Sequence, residues 1–310
     1  MDNLTHTLIG VAVAESGLSR KFGRGATWVL AITSNLPDVD AILILFGTQE
    51  SFLYRRMFTH SILGVLIISL VVSFLFKLWI KNIETSVLFS LSLLGMSLHV
   101  FCDLINSYGV VLLYPFSRTR FEFGTMFIID LTLWGLLLFP VVGLLLFPPL
   151  RRIQKFRERC WRISASGVAA YIALSFFARA EAWQILKKQM LNDKISPSFS
   201  AVFPEALGLH RFRGVIKSGS TYDLYQLNLL KHSAVFVQSY ATFENVPEVM
   251  KIRQSERAQK LEWFFKAPVW QKDPQNPGAW EVFDLRFVST VLKGKNPFFT
   301  FKFNGSDEKN

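Results

Sequence analysis

The feature that most restricts the fold of this chain is a run of twenty residues, 61–80 (SILGVLIISLVVSFLFKLWI), in which Lys77 is the only charged side chain. A membrane-spanning helix needs about 20 mostly apolar residues, because the hydrocarbon core of a bilayer is about 30 Å thick. Charged residues make up 18% of the 310-residue chain, whereas soluble domains contain about 25%. The sequence therefore predicts an integral membrane protein.

Further apolar segments extend this prediction to a helical membrane domain over residues 1–182. Three of them approach the length of a span, at 86–102, 126–147 and 163–178. Upstream, the apolar stretches 26–33 and 41–46 are separated by SNLPDVD, and its proline predicts a broken helix. A short apolar segment, 4–14, is predicted to enter the membrane without crossing it. The sequence thus predicts about five membrane segments, one of them broken.

Lysine and arginine cluster in three loops beside the apolar segments, near Arg20, Lys77 and Arg151. Cytoplasmic loops are enriched in these residues, so the three loops are predicted to face the cytoplasm. The segments around 54–59 and 106–124, and everything after residue 180, are then predicted to be extracytoplasmic. The net charge of +11 would suit nucleic acid. Much of the excess lies next to apolar runs, where it contacts anionic lipid head groups, so we predict no nucleic-acid partner.

The last part of the chain, residues 183–310, has a different character. Residues 234–243, 279–288 and 297–303 alternate apolar and polar side chains and are rich in aromatic and β-branched types, which predicts strands. Residues 273–278 (DPQNPG) are typical of a turn, and 246–267 are predicted to form one amphipathic helix. The fold class is therefore an α-helical membrane domain followed by a small β-rich or α+β soluble domain.

Six ionisable residues lie beside or inside the apolar segments of the membrane domain. They are His6, Asp38, Asp40, His60, His99 and Asp103. An aspartate at the centre of a membrane costs at least about 2.5 kcal/mol, so such residues usually face the protein interior and mark function. His99 and Asp103 are four residues apart in a predicted helix and project from one face. This spacing suits two ligands of one metal ion.

Imidazole and carboxylate groups are ligands of zinc and similar ions, and catalytic sites leave a position open for water. The predicted ligands of a first ion are His60, His99, Asp103 and either Asp38 or Asp40. His6 could extend the set towards a second ion bridged by Asp103. The sequence therefore predicts one or two divalent ions, with zinc the expected metal, near the outer boundary of the membrane.

Each residue also has an explanation that needs no metal. A histidine near a helix end can be an interfacial anchor, and His99 and Asp103 could simply hydrogen-bond to each other. Asp40 could cap the following apolar helix, and Asp38 could occupy a turn. Asp130, one helix later, could be a buried partner of an arginine in an outer loop.

Several of these residues stand in motifs that resemble a known family. The motifs are NLTHTLIG around His6, NLPDVD at 35–40, RRMFTHS at 55–61, LHVFCDLINSYG at 98–109, LLYPFS at 112–117 and FIIDLTLW around Asp130. Together they are similar to the membrane-bound metal-dependent hydrolases of the YdjM type, well over roughly the first 135 residues and loosely in the outer domain through its DLRF segment. The resemblance implies a multi-pass protein of the bacterial inner membrane. Family members often carry a histidine where this chain has Arg55.

The order of the ligands is also similar to the first part of the zinc-dependent bacterial phospholipases C. That resemblance implies one zinc held by His60, His99, Asp103 and either Asp38 or Asp40, and a second zinc held by His6 and Asp103. The later His…His-x-x-x-Glu set of those enzymes has no counterpart, because the next histidine after His99 is His210.

The leading functional hypothesis is a metal-dependent hydrolase, of a phosphodiesterase or phospholipase-like kind, that attacks a phosphoester of a lipid or lipid-linked molecule at the outer face. Whichever of Asp38 and Asp40 is not a ligand could act as general base, and Asp130 is a further catalytic candidate. The residues that could hold phosphate are Arg55, Arg56, Arg118 and Arg120. Attraction to an anionic lipid surface explains these arginines equally well.

Two alternatives to an enzyme remain open at the level of sequence. The polar cluster could bind a metal or proton for transport, since discontinuous helices with intramembrane aspartates also suit that class. The protein could instead be a scaffold in which the metal has a structural role and the outer domain binds a protein partner.

Overall fold

The computed structural model describes residues 1–42, 49–206, 208–290 and 299–304. The chain divides into two compact units, and the first comprises Met1–Gly47 and Tyr54–Phe176. The second comprises Thr48–Leu53 and Phe177–Asn310. The first unit contains the motifs on which the candidate site depends.

The first unit is mainly helical, and its longest non-helical stretch among the described residues is 106–130. Its helices are α1 (Asn3–Val13), α2 (Ser19–Phe22), α3 (Arg24–Thr33), α4 (Ile62–Trp79), α5 (Thr85–Ile105), α6 (Leu131–Leu146), α7 (Pro148–Arg151) and the first part of α8 (Gln154–Asn192). A π-helical turn, Ala14–Leu18, joins α1 to α2, and short 3-10 segments cover Leu36–Ala41 and Phe58–His60. The helical character predicted for the N-terminal part is confirmed.

Among the described residues, three helices are long and apolar enough to cross a membrane, namely α4, α5 and α8. Helix α6 is apolar but shorter. It begins at Leu131 and not near residue 126, because the side chain of Asp130 caps it by accepting a hydrogen bond from the Leu133 N–H. The predicted count of about five membrane segments stays a prediction.

The predicted break after α3 is present. Helix α3 ends at Thr33, and the chain continues as the 3-10 segment Leu36–Ala41, which has Pro37 in its first turn. A proline cannot donate the backbone hydrogen bond that an α-helix requires, so the ladder stops here. Most of the apolar stretch 41–46 predicted to follow lies outside the described residues.

Close packing of α3 and α5 depends on a glycine. A Cβ atom added to Gly95 would lie 2.1 Å from the Thr33 hydroxyl oxygen. The two helices can therefore approach only because Gly95 has no side chain. This contact lies one turn before His99 on α5, and it fixes the face of that helix that looks towards α3.

The second unit combines two antiparallel sheets with two short helices. The first sheet has the order β1 (Phe199–Pro204), β2 (Arg211–Ser218), β3 (Thr221–Asn228) and β4 (Ser233–Ala241). The second has the order β5 (Pro268–Lys272), β6 (Trp280–Asp284) and β7 (Thr300–Phe303). The prediction of a β-sheet region after the helical part is confirmed.

Two details of this unit differ from the sequence prediction. Residues 246–267 form two helices, α9 (Pro247–Arg253) and α10 (Glu256–Phe264), because Ser255 adopts an extended backbone and caps α10 through the Ala258 N–H. The strand predicted over 279–288 ends at Asp284, whose side chain accepts a hydrogen bond from the Arg286 N–H and starts a 3-10 turn.

The last part of α8 packs across the first sheet of this unit. Ala182 and Leu186 are buried with Phe212 and Leu227. A Cβ atom on Gly214 would lie 2.6 Å from a methyl carbon of Leu186, so this glycine of β2 lets the helix lie close to the strand.

Candidate metal centre

Six ionisable side chains that were predicted from the sequence come together inside the first unit. They are supplied by α1 (His6), the Leu36–Ala41 segment (Asp38, Asp40), the Phe58–His60 segment (His60) and α5 (His99, Asp103). All six are buried. Burying charged groups together is unfavourable unless they are paired or bind a cation, so this concentration needs a compensating partner.

Four of these residues offer atoms that converge on one point. One atom each of Asp38, His60, His99 and Asp103 lies within 4.8 Å of the others. The Nε2 atoms of His60 and His99 are 3.1 Å apart, and they lie 3.3 and 3.4 Å from Asp103 Oδ2. Zinc–ligand bonds of about 2.0–2.2 Å in a tetrahedron hold the ligand atoms about 3.3 Å apart. The atoms of His60, His99 and Asp103 therefore match the spacing of ligands in a tetrahedral metal site, and Asp38 Oδ1 lies somewhat farther out.

The outer nitrogens of both histidines are already engaged. His99 Nδ1 donates to the carbonyl oxygen of Ser34 at 2.7 Å. His60 Nδ1 lies 2.9 Å from the Thr59 hydroxyl, which itself donates to Asp40 Oδ2. Histidines that bind metals almost always donate their second ring N–H in this way.

These hydrogen bonds of Nδ1 determine whether each Nε2 atom carries a proton or a lone pair. A neutral imidazole carries one N–H, and in both rings Nδ1 uses it. The two Nε2 lone pairs then face each other across 3.1 Å with no proton between them. A cation that accepts both lone pairs relieves this repulsion, so the donor set fits a metal ion.

The structure separates the two aspartates that the sequence left as alternatives. Asp38 Oδ1 lies 3.9 Å from Nε2 of both His60 and His99 and belongs to the converging set. Asp40 lies behind His60, where its Oδ2 accepts hydrogen bonds from the Arg56 N–H and the Thr59 hydroxyl. Asp40 thus supports the His60 segment, and no helix cap by its side chain is found in the described part of the chain.

His6 lies at the edge of this set. Its ring stacks on His99 with centroids 3.7 Å apart, and its Nε2 is 3.4 Å from Asp103 Oδ1. Neither of its buried ring nitrogens has a hydrogen-bond partner among the described residues. A buried polar atom without a partner is rare in native proteins. His6 is therefore available to bind a second metal ion that Asp103 would bridge to the first.

Two arginines reach the same carboxylates. Arg55 Nη2 lies 2.9 Å from Asp38 Oδ1, and Arg56 Nε lies 2.8 Å from Asp103 Oδ2. The Arg56 guanidinium also donates to Asn106 Oδ1 at 3.1 Å and lies over the ring of Tyr108. Both arginines therefore neutralise part of the negative charge of the cluster.

The other predicted phosphate-binding residues take different positions. Arg120 donates to the backbone carbonyl oxygens of Arg55 and Gly109, so it supports the segment that carries Arg55. Arg118 is exposed. Among the four arginines proposed from the sequence, Arg55 and Arg56 have described contacts with carboxylates of the cluster.

Asp130 has other surroundings. Its carboxylate caps α6, and its oxygens accept from the Tyr171 hydroxyl at 3.1 and 2.9 Å. Its described partners are thus on α6 and α8, and neither an outer-loop arginine nor a member of the cluster is among them. A catalytic role for Asp130 stays a prediction.

Sequence reasoning missed several contributors to the centre. Asn106 donates to Asp103 Oδ1 at 3.3 Å, and its position three residues after Asp103, just past the end of α5, was the available signal. The ring of Tyr108 under Arg56, the carbonyl of Ser34 and the backbone nitrogen of Met1, which contacts Asp103 Oδ1, had no signal in the sequence. These contacts depend on the tertiary fold.

A helical membrane unit with a buried cluster of histidines and aspartates defines the class of this protein, a membrane protein with a candidate metal centre. The chain belongs to the YdjM inner membrane protein family, which matches residues 1–182. This confirms the resemblance inferred from the motifs and agrees with an inner-membrane location. The side of the membrane on which the second unit lies stays a prediction.

One relative is the uncharacterized protein YfhP of Bacillus subtilis (strain 168), which is 30% identical over 131 residues. The match covers 40% of this chain and 40% of that protein, so the two share less than half of their lengths. No solved structure matches the chain.

Proposed function

We propose that this protein is a metal-dependent hydrolase of the membrane that acts on a phosphoester of a lipid or lipid-linked molecule at the outer face. The observation that carries the proposal is the convergence of Asp38, His60, His99 and Asp103 within 4.8 Å. These residues would hold one divalent ion, zinc by the chemistry of the donor set, and His6 with Asp103 would hold a second. A bound ion of this kind supplies an acidified water and polarises a phosphoryl oxygen.

The residues around this set have separate tasks. His60 and His99 are kept in the correct tautomer by Thr59 and Ser34. Asp40 lies 3.5 Å from His60 Nδ1 through its Oδ2, on the side of the ring away from Nε2, so it would orient this ligand. A general base at Asp40 would need a path to the water that its described contacts do not provide.

Arg55 and Arg56 would bind the phosphate. The three carboxylates of the cluster face two guanidinium groups, so its side chains keep one excess negative charge when the histidines are neutral. A divalent ion reverses that sign, and the loaded centre then attracts an anion. Arginine presents a planar fork of donors that matches phosphate oxygens.

An apolar cavity in the same unit supports a lipid as the substrate. It has a volume of about 510 Å³ and lies among α1, α5, α6 and α8, with Ile9, Leu98, Cys102, Leu137, Val168 and Ile172 in its lining. Leu98 and Cys102 directly precede His99 and Asp103 on α5. The wall of the cavity therefore shares a helix with two of the ligands.

The test is elemental analysis of detergent-purified protein, followed by assays on phosphodiesters and lipid phosphates. We expect about one or two equivalents of zinc or manganese in wild type. Both His99→Ala and Asp103→Asn should lose metal and activity, whereas His232→Ala, which changes an exposed histidine of the second unit, should retain both. Metal-free wild type, or full metal content in His99→Ala, would refute the proposal.

A structural metal is the second candidate. Structural sites are closed, whereas catalytic sites keep an open position, and His60 and Asp103 are both fully buried. This candidate predicts that chelation unfolds the first unit and that no phosphoester is turned over by the loaded protein. Turnover that depends on added metal would exclude it.

A further inference from the structure

The connection between β3 and β4, Leu229–His232, lies beside one turn of α8. Leu229 and Ala234 pack against the buried cluster that contains Ala182 of α8, and Ala178 packs against the same cluster. At the tip, His232 Nδ1 is 3.2 Å from Glu181 Oε1. All of these residues belong to the second unit. The tip of the hairpin therefore lies next to residues 178–182 of α8.

These residues lie where the apolar part of α8 ends. No charged residue occurs between Arg162 and Arg179, and α8 is one of the helices apolar enough to cross a membrane. Trp183, four residues after Arg179, is partly exposed, and tryptophan is enriched at the membrane–water interface. We therefore expect the membrane boundary of this helix at residues 178–183.

The hairpin exposes an apolar surface at the same level. Leu230, at the tip, is 78% exposed, and Phe236 is 54% exposed. Val235 and Val237 are exposed beside it, on the outermost strand of the first sheet. We call Leu230, Val235, Phe236 and Val237 the hairpin patch. Several large apolar side chains exposed on one hairpin favour contact with a partner or a membrane.

We propose that the hairpin patch is seated in the interfacial layer of the same bilayer that α8 crosses, so that the second unit contacts lipid through the β3–β4 hairpin as well as through the helix. Two observations select lipid over a protein partner. The loop that carries Leu230 contacts Glu181 through His232, at the turn where the apolar part of α8 ends, and the exposed Lys231 directly follows Leu230 in that loop. Lysine and arginine beside an interface are attracted to anionic head groups.

This inference does not depend on a metal or on hydrolysis. It concerns a lipid-binding surface of the second unit, whereas the proposed activity concerns the first. The hairpin would contact lipid on whichever side of the membrane the second unit lies, because it is positioned relative to the end of α8. The surface would hold the sheet at a fixed depth next to the bilayer.

The test places an environment-sensitive fluorophore on single cysteines of the full-length protein. The native Cys102 is buried and Cys160 is partly buried, so a Cys160→Ser background is labelled at Leu230→Cys, with mass spectrometry to verify a single label. The matched control is Met250→Cys, an exposed residue of α9 beyond the opposite end of β4. Both proteins are reconstituted in nanodiscs that contain anionic lipid, with and without lipids that carry a shallow quencher.

We expect the Leu230 label to emit at shorter wavelength than the Met250 label. An interfacial segment lies about 5–10 Å into the boundary of head groups and acyl chains, so the quencher lipid should reduce its emission about twofold. The Met250 label should be unaffected.

Two outcomes would overturn the proposal. Equal emission and equal quenching at both positions would mean that the hairpin lies in water. A blue-shifted Leu230 label that lipid-borne quencher does not reach would mean that protein covers the patch, either a second copy or another chain.

Discussion

Asp103 is the residue on which the contacts of the candidate centre converge. His6, His60, His99 and Arg56 all lie within 3.5 Å of its two oxygens. Because the carboxylate is fully buried, each partner offsets part of the cost of burying its charge. Asp103 therefore has a role in stability that is separate from any role in catalysis.

Replacing Asp103 by alanine should destabilise the first unit even when metal is absent. The substitution leaves the buried Arg56 guanidinium without its carboxylate, and removal of one partner of a buried pair costs about 3–5 kcal/mol. The measurement is thermal unfolding in detergent with a chelator present. A double variant, Arg56→Met with Asp103→Leu, should recover part of the loss. An unchanged unfolding temperature of Asp103→Ala would contradict the pairing.

Arg55 should weaken metal binding, because its guanidinium competes for Asp38. We expect Arg55→Ala to bind zinc at least about tenfold more tightly, which corresponds to about 1.4 kcal/mol. The same variant should bind inorganic phosphate more weakly when loaded with zinc. Both affinities can be measured by calorimetry, with the exposed Arg159→Ala as control. Tighter phosphate binding by Arg55→Ala would show that this arginine is not a phosphate ligand.

At the scale of elements, the sequence predicted best where one physical effect dominates. Helices α4 and α5 were predicted within a few residues of their ends because long apolar runs without charge have few other structures available in a membrane. The predicted start of α6 and the prediction of one helix over 246–267 were wrong, because each outcome depends on one capping side chain, Asp130 or Ser255. A hydrophobic pattern does not report such local hydrogen bonds.

The approach of α3 to α5 provides a test at this scale. Gly95→Ala would place a methyl group against Thr33, and overpacking of this kind typically costs about 1–3 kcal/mol. Because Gly95 is one turn before His99, the variant should also lose metal affinity. Gly135→Ala on α6 is the matched control, since no atom lies within 4 Å of its added Cβ. Unfolding temperature and metal content are measured for both. Equal values for the two variants would contradict the packing argument.

At the scale of the whole molecule, the sequence correctly separated a helical membrane part from a β-sheet part. The candidate ligands were also found from sequence, because histidines and aspartates are conspicuous among apolar segments. The choice between Asp38 and Asp40 could not be made, since it depends on how the Leu36–Ala41 segment turns towards His60. The ion-pair partners of Arg55 and Arg56 could not be predicted from the sequence either, because they come from distant parts of the chain.

Metal should stabilise the two units unequally. All residues of the converging set belong to the first unit, and a ligand at 100 times its Kd stabilises the folded state by about 2.7 kcal/mol. Zinc should therefore slow hydrogen exchange in α5 and leave exchange in β1–β4 unchanged, as measured by peptide-resolved mass spectrometry. Asp103→Asn should abolish the difference. Equal protection of both units would argue against a metal confined to the first.

The positions of the candidate ligands along the chain have a consequence for biogenesis. His6, Asp38, His60, His99 and Asp103 all precede α6 in the sequence. The centre can therefore close as soon as α5 has left the translocon, while the ribosome is still synthesising the second half of the protein. Metal capture at this point would join the first segments of the nascent chain, and α6 and α8 would then insert against a bundle that is already assembled.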